Sequence, residues 1–440
     1  MTLAGWGRYP RLDCRVRAPK TEAELAALVA EGGLIARGNG RAYGDSAMSA
    51  GNTADMRRFN RMISFDEKSG RLVAEGGVLL ADVIAALLPR GWFPAVTPGT
   101  KFVTLGGMIA ADVHGKNHHK DGSMASSVEW IELMGADGKV RRCSPSRNKA
   151  IFEWTLGGMG LTGVILRAAI RLSPVETGWI RQETIPAPNL GEAMAAFEAR
   201  AEATYSVAWI DCLTRGPSLG RSLVMLGEHA RASELPAEQR RTPFETPRRR
   251  SLSVPFDAPG FALNGPAVRA FNALYWRAGL RAEGERLVDW DSYFYPLDRV
   301  GGWNRIYGRK GLAQFQCVLP PDTARAGLEA LLREISEAGQ GSFLAVLKKF
   351  GPGRDGLSFP QEGYTLALDF PVNRKSLALL SELDRIAVAH GGRFYLAKDA
   401  RLSAAQLREA DPRVQDFAEM RRAGGARPAF ASAQSERLDL

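Results

Sequence analysis

The stretch from Thr97 to Ser123 constrains this chain more than any other. It opens on Pro98-Gly99, a turn in which Pro fixes φ and Gly accepts a positive φ. It passes through Gly106-Gly107, where the missing Cβ lets backbone press against a ligand. It ends in His114-Gly115-Lys116-Asn117-His118-His119, which holds three of the chain's five histidines. Glycines that permit close approach, followed at once by titratable and cationic side chains, point to a bound anionic cofactor with chemistry beside it.

The formal net charge of +10 calls for an anionic partner: nucleic acid, anionic lipid or a phosphorylated substrate. No nucleic-acid module or aromatic–basic alternation is present, so nucleic acid is not expected. The densest basic cluster, Arg240-Arg241 with Arg248-Arg249-Arg250, reads either as a solvated loop or as a surface meeting lipid headgroups. With 440 residues there is room for two domains with sizeable cores. The longest apolar runs, such as Val78 to Leu88, are too short and interrupted to span a bilayer. Met1 to Arg15 lacks the basic start and apolar block of a secretory signal, so a protein kept in the cytoplasm is expected. Cys14, Cys143, Cys212 and Cys317 form no Cys-x-x-Cys pair, which argues for buried thiols over zinc or disulfides.

Along the chain, a capping box at Thr21 to Glu24 predicts a helix over 22–31, and Leu34 to Ala36 a buried strand. The strand runs into a loop, Arg37 to Ser46, whose Gly-x-Gly-x-x-x-Gly spacing is not a dinucleotide fingerprint but exposes backbone N–H groups as an anion nest. Strands follow over 61–65 and 71–75, a helix over 80–88, and strands over 128–134, 140–143 and 163–172, with a hairpin turn at 136–139. Leu-Gly-Gly-Met recurs at 105–108 and 156–159 and reads as two ligand-facing turns. After Pro174 the texture changes to strands over 206–210, 222–226 and 314–319, around a basic, Pro-rich loop 231–262. Helices are expected over 323–338, capped by Asp322 and stopped by Gly339, and over 376–389, stopped by Gly391-Gly392. A strand-rich piece, 343–370, separates them, and a tail helix over 404–410 is boxed by Ser403 and Gln406. Strands and helices in blocks make an α+β pattern.

These motifs carry a resemblance. The loop 36–46, Thr97 to Thr100 with Gly106-Gly107, and Gly157 to Gly163 resemble the FAD-binding half of the vanillyl-alcohol-oxidase (PCMH-type) superfamily. The His114 to His119 string, Trp303-Asn304-Arg305, Gln314-x-Gln316 and Tyr395 to Asp399 are similar to the decaprenylphosphoryl-β-D-ribose 2′-oxidase family, from Gly5 to about Arg422. The resemblance implies an α+β fold: a two-part FAD-binding domain over 1–178 closed by the tail 394–440, and a substrate domain of antiparallel sheet and helices over 179–393. The flavin would lie at their interface. The implied reaction is FAD-dependent oxidation of a sugar secondary alcohol, the 2′-hydroxyl of a polyprenyl-phosphate pentose. It would be the oxidase half of a two-enzyme 2′-epimerisation that makes an arabinose donor for the cell envelope, with a short-chain reductase as partner. The charge fits a cytoplasmic protein peripheral on the inner face of the membrane. A soluble aldonolactone or alditol oxidase, and a non-catalytic flavin- or lipid-binding scaffold, stay open as rivals.

On this resemblance the cofactor would meet Ala36-Arg37-Gly38-Asn39-Gly40-Arg41-Ala42-Tyr43-Gly44-Asp45-Ser46, Gly99, Thr104 to Gly107 with Leu105, His114, Gly115, Asn117, Ile165 and Tyr395. Some relatives bind flavin covalently through a His where this chain has Tyr43, so non-covalent FAD is expected. Lys398 would contact flavin and substrate, moving a proton or holding phosphate; the alternative is a surface Lys paired with Asp399. His114 is the second catalytic candidate, or else a histidine hydrogen-bonded within the FAD pocket. Metal at His114, His118 and His119 is not expected, because no carboxylate or Cys stands at ligand spacing. Lys116, Trp209, Gln314 and Gln316 would face the substrate, although Trp209 and the glutamines also suit a core. Three positions depart from the family: Ala367 fills its cysteine slot, and Phe294-Tyr295 replaces a Tyr–His pair.

Overall fold

A computed structural model of the chain describes residues 1–247, 252–259, 264–342 and 344–440. The arginine run 248–250 and position 343, where the strand-rich piece was expected to begin, lie outside the described residues.

The N-terminal part is built on a small parallel sheet in the order Val16–Arg17, Asn52–Asp55, Leu34–Arg37. Helix Glu22–Glu31 feeds it; Thr21 Oγ1 accepts from Glu24 N at 3.1 Å, and the Glu24 carboxylate reaches back to Lys20 N instead of closing the box on Thr21. A six-stranded antiparallel sheet follows, centred on Val164–Pro174, flanked by Val128–Met134 and Arg71–Glu75, with Trp92–Pro94 at its far end. The helix Leu80–Leu87 covers it, much as its apolar periodicity predicts.

The third sheet has eight antiparallel strands, and its middle runs Tyr205–Ile210, Ala345–Phe350, Gly363–Pro371, Leu312–Leu319. Alternation sorts their side chains between two faces. Ala208, Leu347, Phe315 and Cys317 enter the main core under the helices Pro321–Ala338 and Arg374–Ala389, whereas Trp209, Lys348, Gln314 and Gln316 turn to a cavity. The free thiols are all buried, as expected.

Several local readings need correction. The helix Pro321–Ala338 starts two residues early, with Pro321 in its first turn; Asp322 lies inside that turn and is no cap. Arg374–Ala389 is capped by Asn373, whose side chain accepts from Ser376 N at 3.0 Å. The first Leu-Gly-Gly-Met is not a turn but opens the helix Leu105–Ala110; the second is a turn, with Gly157 at φ 92° and Met159 at φ 54°. Gly99 does not use a positive φ. The 17-residue helix Gly265–Arg281 was not foreseen, because its apolar spacing marks an outward strip as well as a buried one. Among the described residues no helix is long and apolar enough to cross a membrane.

Candidate active site

A cavity of about 430 Å³ lies between the glycine-rich loops and the inner face of the eight-stranded sheet. The strand Leu34–Arg37 delivers the first loop to its wall. Gly38 must stay a glycine there, since a Cβ would stand 2.1 Å from Thr104 Oγ1. Among the described residues, the backbone N–H groups of Asn39, Gly40, Arg41 and Ala42 meet no protein acceptor, so this edge still has donors to give. Charged groups on the lining are Arg41, Lys116, Lys348 and Lys398 against the single carboxylate of Asp298. A cavity with spare N–H donors and a cationic excess suits a phosphate-bearing ligand.

Most of the expected site residues reach this cavity. Ala36, Gly38 to Tyr43, Ser46, Gly99, Thr104, Gly106, Gly107, His114, Gly115, Ile165 and Tyr395 line it, and so do Lys116, Trp209, Gln314, Gln316 and Lys398. Five do not. The Leu105 side chain packs in the core, and its N–H donates to Val78 O. Arg37 donates to Ala4 O and Ala47 O, tying the loop to the N-terminus. Gly44 is wedged against Asp399 O, Asp45 pairs with Arg437, and Asn117 donates to Ala95 O and Asp121. These residues brace the loops or the core and do not form the wall.

His114 is the hub of a polar network. Thr365 Oγ1 donates to Cys317 O at 2.8 Å, so it accepts from Gln316 Nε2 at 3.2 Å. The same amide nitrogen faces His114 Nε2 at 3.1 Å, which makes that ring nitrogen the acceptor and puts the ring proton on Nδ1. Nδ1 faces Lys348 Nζ at 3.1 Å, a contact that a neutral amine satisfies. Burial keeps the imidazole neutral. Burial also lowers Lys348 to about 7. Phe350 and Tyr395 pack around the ring at 4.7 and 5.3 Å between centroids.

Lys398 opens on the same cavity with its amine 3.8 Å from the Tyr43 ring centre. Its expected alternative partner, Asp399, belongs to Arg437 at 2.8 Å instead. Burial lowers the Lys398 pKa while the nearby Asp369 carboxylate pulls it back up. Asp369 is held by an amide hydrogen bond from Gln314, and one carboxylate oxygen has no partner. Burial raises its pKa. Lys116, lowered to about 7 by burial, bonds to Tyr293 O and lies 3.9 Å above that ring. The other two histidines diverge: the His118 ring packs at a tilt on Phe350 at 4.4 Å, and His119 Nε2 meets Ala203 O at 2.8 Å. Among the described residues no three His, Cys, Asp or Glu side chains could hold a metal ion together.

Lys348 was missed in the sequence although a signal existed. In Val346-Leu347-Lys348-Lys349 the alternation sends Lys348 inward to His114 and Lys349 outward to Glu198. Trp303-Asn304-Arg305 divides its labour: Trp303 lines the cavity, Asn304 donates to Trp6 O at 2.7 Å, and Arg305 holds the carbonyls of Val254 and Pro255. Ala367, in the cysteine slot, also lies on the wall.

A family described as FAD binding domain matches residues 15–144. That match, with the glycine-walled cationic cavity, defines a FAD-binding protein. Decaprenylphosphoryl-beta-D-ribose oxidase of Mycolicibacterium smegmatis is 35% identical, covering 100% of this chain and 97% of its own. An uncharacterized Streptomyces coelicolor protein is 35% identical over 80% of this chain and 98% of its own, and mouse L-gulonolactone oxidase is 31% identical over 31% of each. The chain belongs to the decaprenylphosphoryl-β-D-ribose oxidase family.

Proposed function

We propose that this enzyme oxidises the 2′-hydroxyl of a polyprenyl-phosphate pentose, with FAD held without a covalent bond. The observation that carries this reading is the convergence of Lys116, Lys348 and Lys398 on one cavity beside the glycine loops. Residues 1–178 and the tail 394–440 hold the cofactor, and 179–393 supply the substrate face. The amides of 39–42 and Arg41 would meet the FAD phosphates. When bound, FAD supplies the acceptor for the hydride lost by the carbinol carbon. Tyr43 gives no nucleophile of the kind a covalent His link uses.

Lys398, its amine lowered toward neutrality, accepts the hydroxyl proton. His114, fixed in one tautomer between Gln316 and Lys348, positions those two side chains toward the sugar. Lys116 meets the phosphate, and Trp209 walls the sugar or lipid. The keto product is consumed by a separate short-chain reductase, and the protein works at the inner face of the membrane.

Acid precipitation of the purified protein should leave the yellow colour in the supernatant; colour in the pellet would overturn the non-covalent assignment. Polyprenyl-phosphoryl ribose should bleach the flavin anaerobically, and Lys398→Ala should slow this by at least about a hundredfold. Bleaching by free alditols or L-gulonolactone, but not by the lipid-linked sugar, would favour the soluble-oxidase alternative. Unchanged bleaching in Lys398→Ala would remove that residue's role.

A further inference from the structure

Of ten exposed large hydrophobic side chains among the described residues, six fall between Leu252 and Leu280. Four of these, Phe271, Leu274, Tyr275 and Leu280, stand on the helix Gly265–Arg281. That helix is anchored on its other side. Val268, Asn272 and Gly279 are buried, Asn272 donates to Asp211 at 2.7 Å, and Gly279 sits tight against Leu223. Ala267, Phe271, Leu274 and Ala278, spaced i, i+4, i+7 and i+11, share an outward strip.

The strip continues into the active site. The Phe271 ring stacks on Tyr275 at 5.8 Å, and Tyr275 packs on Trp209 at 4.8 Å; the last two line the cavity. A second apolar projection is linked by strand pairing to a segment that leads into the cavity wall. Phe256, 70% exposed, follows the strand Leu252–Ser253, which pairs with Val300–Gly301 just before the wall residue Trp303. The helix's own charge is of one sign, although Glu283, two residues past its end, is exposed. The helix carries Arg269, Arg277 and Arg281 and no acidic residue, and none of the three forms an ion pair among the described residues. Arg309 and Lys310 are exposed near the other projection, where Asp257 is neutralised by Arg8.

We propose that this face, and not the Arg240-Arg241 loop, docks the enzyme on an anionic lipid bilayer. Phe256 and Leu274 enter between the headgroups while the arginines meet lipid phosphates. A polyprenyl chain then passes from the bilayer along the Phe271–Tyr275–Trp209 ladder. That last statement rests on the lipid-linked substrate of the proposed function; the docking itself does not. A protein partner would be expected to bring acidic groups to a flatter patch, whereas exposed apolar tips with cationic side chains beside them match a headgroup layer.

Flotation of the full-length, flavin-loaded protein tests this without any substrate. The probe is vesicles of phosphatidylcholine with about one-third phosphatidylglycerol, against phosphatidylcholine alone. The wild type should float only with the anionic vesicles. The double variant Phe256→Ser with Leu274→Ser should bind at least about tenfold more weakly, and Arg269→Gln with Arg277→Gln and Arg281→Gln should lose the anionic preference. Both should keep the wild-type flavin spectrum and unchanged bleaching by a short-chain, water-soluble phosphoribose analogue. Wild-type flotation of the double variant, or no wild-type binding to anionic vesicles, would overturn the proposal. So would light scattering that shows a wild-type dimer and a monomeric double variant, which would assign the face to a second copy. Vesicle binding without turnover of any phosphoribose would instead count against the proposed substrate.

Discussion

Lys398 and Asp369 share one local field, and their coupling gives a residue-scale prediction. Burial lowers the lysine, and the Asp369 charge opposes that lowering. A proton acceptor must be unprotonated, so turnover should rise with pH through the Lys398 pKa, well below 10.5. In Asp369→Asn the restoring charge is gone, the lysine loses its proton more readily, and the rising limb should move to lower pH. A pH profile of flavin reduction in the two proteins checks this. An unchanged midpoint would mean that another group is the acceptor. Lys398 was legible because it stands in a motif; Asp369 was not, because its importance depends on a neighbour 29 positions away along the chain.

At the scale of elements, the first glycine loop works through its contact with the turn before Leu105–Ala110. Gly38→Ala would drive a methyl into Thr104 Oγ1, on a side chain 3% exposed and unable to swing away. We expect the variant to lose about 1–3 kcal/mol and most of its flavin, read as the flavin-to-protein absorbance ratio after purification. Adding Thr104→Ala removes the closest atom and should restore part of that ratio. The loop itself could be read from its glycines. Which glycine is indispensable could not, because that depends on which neighbour the fold presses against it. The helix Gly265–Arg281 escaped notice for a related reason: periodicity reveals a face only if the other faces are polar, and here a second apolar strip points outward.

Across the whole molecule, Arg437 ties the end of the chain to its beginning. It bonds to Asp45 at 2.8 Å and to Asp399 at 2.8 Å, joining the helix Ala433–Leu438 to the first glycine loop and to the turn that carries Lys398. Asp45 and Asp399 are 3% and 8% exposed, so Arg437→Met would strand two buried carboxylates. The expected loss is about 3–5 kcal/mol, seen as a lower Tm, with weaker flavin retention. A Tm within a degree or two of wild type would show that water reaches both carboxylates.

Local chemistry was enough to read the α+β texture, the glycine loops and the inward pair Gln314 and Gln316, because turns, caps and alternation are written in neighbouring residues. The fold alone decided that Lys348 meets His114, that Arg37 and Asn117 brace loops instead of facing ligand, and that Asp399 belongs to Arg437. Those pairings reach across 22 positions (Asn117 to Ala95) to 234 (His114 to Lys348), and no periodicity along a chain encodes such distances; packing of the sheets does.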